Sequence, residues 1–344
     1  MYKNTAFILT LAYPDTVVRI SDEKLVPYLR YINVGCENYV RAGHAALVLI
    51  DKEKGSLEYF DFGRYTCPQG YGRVRGELTD NELDFPLKAE VKDNELINLN
   101  EILSFLATNP KLTHGEGKLV ASVCKSVNYK DAKAYIMKLQ NSNDVRYGAF
   151  LKKGSNCARF VTDTLIASIS DKKKKKQLIK SKLFTPSTVS NVMLANTEFA
   201  AFEVSELGTI TEFTSTSKKE SRRCFLDNLN GYQPNLVGNI RPKAVTGLSN
   251  NAQWLGGIGA GVWFEIYDLS HVNEFRLRRI SPYGNVDCDG VFKIDSDGFD
   301  INVEYQFVHY SNCLYIHVEQ DSKRYRFDFV ENFKMELEEK HHEL

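Results

Sequence analysis

Seven cysteines stand at positions 36, 67, 124, 157, 224, 288 and 313, and one of them sits where a thiol turns chemical. In the segment 156–169, NCARFVTDTLIASI, apolar residues recur at Ala158, Val161, Leu165 and Ile169, the spacing of an amphipathic helix. Ser155 or Asn156 supplies its N-cap. Cys157 then falls in the first turn, where unpaired backbone N–H groups and the positive end of the helix dipole favour a sulfur anion. His44 lies within GHAALVLI, residues 43–50, apolar on both parities apart from itself. A buried imidazole without a partner costs a few kcal/mol, so His44 needs an acceptor. The next strand, 57–63 (LEYFDFG), supplies one. A polar loop over 51–56 pairs Ile50 with Leu57, Ala46 with Asp61 and His44 with Gly63. The two-residue side-chain period then puts Asp61 on the face of His44, one diagonal step away, while Glu58 falls on the opposite face and nearer the loop. A thiolate, an imidazole and an orienting carboxylate form the arrangement of covalent acyl transfer. A buried structural cysteine beside a satisfied core histidine is the competing reading.

The elements that must hold these residues follow from the same patterns. The runs 6–11 and 16–20 read as strands around Tyr13-Pro14-Asp15, and Ser21-Asp22-Glu23 opens a helix with Leu25, Val26 and Leu29 on one face. Strand 43–50 is central, covered on both sides. Helices are expected over 98–107, with Ile102, Leu103 and Leu106 inward, and over 130–139, with Ala134, Tyr135 and Leu139 inward. Lys172 to Lys176 follow the cysteine helix and read as its solvated C-terminal end, since cations suit that pole. The stretch TSTSKKESRR is polar and unpatterned and reads as a linker, after which strands dominate: VWFEIYDL, EFRLRRI, GVFKI, FDINVEYQFVHY and CLYIHVEQ. The expected division is 1–213 for the thiol domain, 214–232 for the linker and 233–338 for a mostly antiparallel β domain. The aromatics of that domain, Trp254 and Trp263 among them, fit packing better than recognition.

The chain of 344 residues carries 44 basic and 44 acidic side chains, which argues against binding of nucleic acid or an anionic membrane by bulk charge. Its length and 43% apolar content suit two packed cores. The apolar run 6–12 is too short for a secretory core or for the ~20 residues that span a bilayer. The expectation is a cytoplasmic protein with reduced thiols, and the oligomeric state stays open. Other motifs fail on geometry. Asp295, Asp297 and Asp300 lack the sixth-position glycine and closing glutamate of a calcium loop. The glycines of 256–261 lead into a strand and not the helix that a phosphate loop needs. In one strand, His309 and His317 would lie about 27 Å apart, so no metal is expected there. No cofactor is implied, and no G-x-S-x-G elbow is present.

The order of GHAAL, YFDFG and NCARFV along the chain resembles the circularly permuted papain-like fold, which includes the NlpC-type cell-wall peptidases and the lecithin:retinol acyltransferase group. In that acyltransferase group a similar Asn-Cys-x-x-Phe-Val segment carries the nucleophile, after the histidine in the chain. The resemblance covers roughly residues 5–170. It implies an α+β fold with an antiparallel sheet packed on helices, Cys157 as nucleophile, His44 as base and Asp61 as the third polar group, where those acyltransferases usually carry a histidine. It also implies an oxyanion hole at the Cys157 N–H, supported by Tyr147 and Asn156. HAALVL, YFDFGRY and NCARFV together also resemble proteins of gut and marine Bacteroidetes that have a β-rich C-terminal half. Arg64, Arg73, Arg75 and His114 fall between the two catalytic segments, and Arg64, Arg73 and His114 are the candidate contacts for a substrate carboxylate or phosphate. The expected activity is a cysteine hydrolase or acyltransferase acting on a peptide, protein or acyl-lipid substrate. The alternative is a non-catalytic binding protein that keeps the fold.

Overall fold

A computed structural model describes residues 4–20, 35–36, 38–143, 145–183, 185–198, 200–233 and 245–334. The helix expected from Ser21 lies outside the described residues. The protein is of the mixed α+β class, with seven α-helices among the described residues and two compact units, Met1–Leu236 with Gly257–Gly259, and Val237–Gly256 with Ala260–Leu344.

The first unit runs β1 (Ala6–Tyr13), β2 (Val17–Arg19), β3 (Tyr39–Arg41), β4 (His44–Asp51), β5 (Leu57–Gly63), β6 (Tyr71–Arg75), β7 (Val91–Lys92) and β8 (Glu95–Leu96). It continues with α1 (Leu99–Thr108), α2 (Pro110–Thr113), β9 (Leu119–Val127), α3 (Tyr129–Gln140), β10 (Val145–Arg146), α4 (Cys157–Ser168), α5 (Lys172–Ser181), α6 (Thr188–Ala195), β11 (Phe202–Val204), β12 (Ile210–Glu212) and α7 (Ser217–Phe225). An eight-stranded antiparallel sheet in the order β10-β6-β5-β4-β1-β9-β11-β12 is its frame. β1 and β4 are apolar on both parities because both faces are covered. Ala45, Leu47 and Leu49 pack with Val161 and Leu165 of α4 and Ile136 of α3. Ala46, Val48 and Ile50 pack with Ile102, Leu103 and Leu106 of α1 on the other side. The β4–β5 register places Ala46 opposite Asp61 and Ile50 opposite Leu57.

Three local expectations need correction. The buried face of α3 is Ala132, Ile136 and Gln140, whereas Ala134 is exposed; the helix meets the sheet one step round from the face first expected. Lys172 to Lys176 do not end α4, which stops at Ser168; they open α5, capped by Asp171, whose carboxylate accepts from the Lys173 and Lys174 N–H groups. The reason is Ile169, whose extended backbone breaks the helix and bridges to Val127. The stretch expected as a linker, 214–232, holds α7, whose Glu220 and Cys224 are buried. It is held by ion pairs from Lys118 to Glu220 and from Arg223 to Asp15.

The second unit is a seven-stranded antiparallel sheet of β13 (Gln253–Leu255), β14 (Val262–His271), β15 (Glu274–Ile280), β16 (Val286–Ile294), β17 (Gln306–Val308), β18 (Tyr315–Gln320) and β19 (Lys323–Asn332), in the order β13-β14-β15-β16-β19-β18-β17. The sheet curls until its two ends nearly meet. The Gln253 side chain joins them, donating to the Tyr305 carbonyl at 3.0 Å and accepting from the Phe307 N–H at 3.0 Å. Its interior is filled by Phe264, Leu277, Phe292, Val318 and Phe327.

Candidate active site

His44 is the first residue of β4 and not an interior one, as its place in the apolar run suggested. Gly43 before it has φ +73°, a conformation that favours glycine, and a Cβ there would lie about 3 Å from the Thr188 hydroxyl and the Tyr13 carbonyl. The chain therefore turns sharply into the strand and sets His44 opposite Tyr13 of β1, with the two rings stacked at 6.4 Å. Cys157 is the first residue of α4. Asn156 caps this helix, its side chain accepting from the Arg159 N–H at 2.8 Å. Both functional side chains thus sit at element ends. His44 is 6% exposed and Cys157 8%.

The imidazole Nε2 lies 3.1 Å from Asp61 Oδ2 and 3.5 Å from the Tyr65 hydroxyl, and the Cys157 thiol is among the groups that raise the ring's pKa. With Nε2 turned to the carboxylate, Nδ1 is the nitrogen left for sulfur. Burial opposes a charge on His44, but the hydrogen bond to Asp61, the Cys157 thiol and the Asp61 charge outweigh it, pushing the pKa up to about 9.

Asp61 is fully buried and gathers donors on both oxygens. Oδ2 accepts from His44, from the Tyr59 and Tyr65 hydroxyls at 3.1 and 3.2 Å, and from Arg75 Nη2 at 2.7 Å; Oδ1 accepts from Arg75 Nε at 3.0 Å. Burial alone would raise the Asp61 pKa, yet the Arg75 charge and the hydrogen bonds from His44 and Arg75 hold it far below the usual carboxylate range. Arg75 stands directly opposite Asp61 on β6 and covers the Tyr65 ring at 4.2 Å. Tyr59 and Tyr65 are pushed well above the usual phenol range, chiefly by burial and then by the Asp61 charge, so both act as neutral donors. Glu58 lies on the opposite face, held by Tyr129 and Lys133 of α3.

The remaining candidates are placed as follows. The Tyr147 ring lies flat on Phe62 at 6.0 Å and 3°, with the Arg64 guanidinium 4.6 Å above it. Arg64 also donates to the Arg19 carbonyl at 2.6 Å. Arg73 turns inward, forked onto both oxygens of Asp80 at 2.6 Å each and onto the Tyr65 carbonyl at 2.8 Å. His114 ends α2 and tilts against Tyr65 at 5.0 Å. Burial, and then the Arg75 charge, hold its pKa down to about 3, so it is neutral. Sequence reasoning grouped Arg75 with loop cations and passed over Tyr59 and Tyr65. A direct count across the loop 64–70 sets Arg73 against Asp61; the observed register pairs Gly63 with Arg73 and so places Arg75 there, two residues further on.

Residues 8–174 match the family model described as type VI secretion system effector TseH-like, and residues 252–330 match the DUF6695 C-terminal domain. Among solved structures, the crystal structure of the type VI secretion system effector TseH is similar over 61% of this chain and 98% of that one, with 15% identity and a TM-score of 0.38. No match was found among curated proteins. The stretch that carries His44, Asp61 and Cys157 is therefore similar to the TseH-like effector family, and the β-rich second unit to the DUF6695 C-terminal domain.

Proposed function

We propose that the first unit is a papain-like cysteine hydrolase or acyltransferase. The observation that carries this reading is His44, held at 3.1 Å by a buried carboxylate and raised in pKa by that carboxylate and by the thiol at the N-terminus of α4. Cys157 sulfur attacks an amide, ester or thioester carbonyl after its proton passes to His44 Nδ1. The imidazolium, favoured at neutral pH by Asp61, returns that proton to the leaving group, and water or an amine then releases the acyl group. Asp61 fixes the ring through Nε2. The Cys157 N–H, supported by Asn156 and Tyr147, is the proposed oxyanion site. Arg64 and His114 keep their place as proposed substrate contacts because they border Tyr147 and Tyr65. Arg73, paired with Asp80, is left out of that role.

The similarity of residues 8–174 to an effector family supports a further part of the proposal, that the chain is a type VI secretion effector whose hydrolytic unit acts on a peptide, protein or acyl-lipid target. A reducing, cytoplasmic setting, in which Cys157 stays a free thiol, belongs to the same proposal. The test is iodoacetamide labelling at about pH 6, where an ordinary thiol is almost wholly protonated. Cys157 is expected to react faster than the exposed Cys36, and His44→Ala to abolish the difference. If Cys157 reacts no faster than Cys36 in the wild-type protein, the catalytic reading fails and a binding protein that keeps the fold takes its place.

A further inference from the structure

Two other thiols meet in the second unit. Cys288 lies on β16 and Cys313 two residues before β18, both buried. Both belong to the same buried core cluster, and the Cys313 thiol together with burial pushes the pKa of the Cys288 thiol up. The thiols of Cys67 and Cys224 instead meet backbone carbonyls, that of Cys124 the Ser126 hydroxyl and that of Cys157 the His44 ring. Arg279, directly opposite Cys288 in the β15–β16 ladder, places Nη1 3.2 Å from Cys313 Sγ. A buried guanidinium beside sulfur is positioned to hold that sulfur as an anion, the form that attacks a disulfide.

We propose that Cys288 and Cys313 are a cross-linking site, joined as a disulfide when the protein meets a small-molecule disulfide such as oxidised glutathione. Cys313 loses its proton to water, and its sulfur attacks one sulfur of oxidised glutathione, expelling one glutathione thiolate. Cys288, losing its proton in turn, attacks Cys313 Sγ of the mixed disulfide and expels the second. Two protein thiols are oxidised, one glutathione disulfide is reduced to two thiolates, and the two protons given up by the protein thiols protonate them. Both thiols border the one Arg279 side chain, Cys288 as its cross-strand neighbour and Cys313 at 3.2 Å, and closing the bridge brings their sulfurs to the ~2.05 Å of an S–S bond. The oxidant has to reach one sulfur, because the second step is internal. The link ties β16 to the segment that enters β18, across the strand β19 that lies between them in the sheet. It constrains a long loop of the unfolded chain and so raises the melting temperature.

The experiment takes the full chain through refolding in a glutathione redox buffer, blocks remaining thiols with N-ethylmaleimide at low pH, and maps the peptides by mass spectrometry. The expected result is one dominant linked pair, Cys288 to Cys313, short of two hydrogens and released by reductant, with a higher melting temperature before reduction than after. Cys157→Ala leaves the link in place, which separates this site from the proposed catalytic thiol. Recovery of Cys288 and Cys313 as maleimide adducts, or linked to other cysteines, overturns the proposal, and that readout needs no substitution in the β unit.

Discussion

Replacing Asp61 by Asn keeps the size of the side chain and removes the charge on which the site turns. In the native protein the His44 pKa is pushed up to about 9 from an ordinary 6.5. At ~1.4 kcal/mol per pH unit, that is roughly 3 kcal/mol of preference for the imidazolium in the folded state. The folded value lies above the unfolded one, so this contribution is present in full below pH ~6.5 and is lost as the pH rises through ~9. Burial acts in the opposite direction. In Asp61→Asn, His44 is therefore expected to titrate near or below ~6.5, and the fall of stability between those pH values should disappear. A second loss accompanies the first. Arg75 is 2% exposed and has its fork on Asp61; in Asp61→Asn it keeps the Leu112 carbonyl at 3.0 Å and Glu82 at 3.9 Å, so the loss falls below the ~3–5 kcal/mol of a buried charge left wholly unpaired, and Asp61→Asn/Arg75→Met should recover part of it. His44 is followed by NMR of the imidazole carbons, with His44→Gln identifying its signal, and stability by urea unfolding at pH ~6 and ~9. A His44 that still titrates near 9 in Asp61→Asn would show that the carboxylate does not set its charge.

The remaining predictions concern neighbouring elements. Asp61→Asn should slow alkylation of Cys157, while Glu58→Gln, altering a carboxylate on the far face of β5, should leave the rate unchanged; the reverse order would contradict the face assignment. Gly63→Ala places a Cβ 2.3 Å from the Tyr65 ring, so Tyr65 must leave Asp61, at a cost of about 1–3 kcal/mol in urea unfolding; unchanged stability would show that the ring gives way freely. Lys172→Glu replaces an exposed cation at the positive pole of α5 and should stabilise the protein by about 0.3–1 kcal/mol at low salt. A thermal melt that moves downward would mean that the lysine makes a compensating contact.

What was legible in the sequence, and what was not, follows from where each residue sits in its element. The His44–Asp61 relation was open to counting because the loop 51–56 is short and both strands keep an unbroken period on either side of it, so one register satisfies every apolar residue. The next hairpin withholds the same count. Between β5 and β6 the backbone passes through Thr66 at φ +48° and Gly70 at φ +81°, so the number of residues in the loop no longer fixes the pairing. Arg75, the side chain that neutralises Asp61, was hidden behind that irregularity. The lysine run was misplaced for a related reason: five consecutive lysines carry no apolar repeat that could mark the start of a new helix, and only the bridge from Ile169 to Val127, a contact remote in sequence, shows where one helix stops. Cys157 and His44 occupy the first positions of α4 and β4. At such positions an N–H is unpaired, a glycine takes a positive φ and a polar side chain escapes the full burial of the strand interior. Periodic patterns describe what repeats inside an element. The reactive groups of this protein lie where the repeat begins, so cap and turn residues, here Asn156 and Gly43, are the sequence signals that locate them.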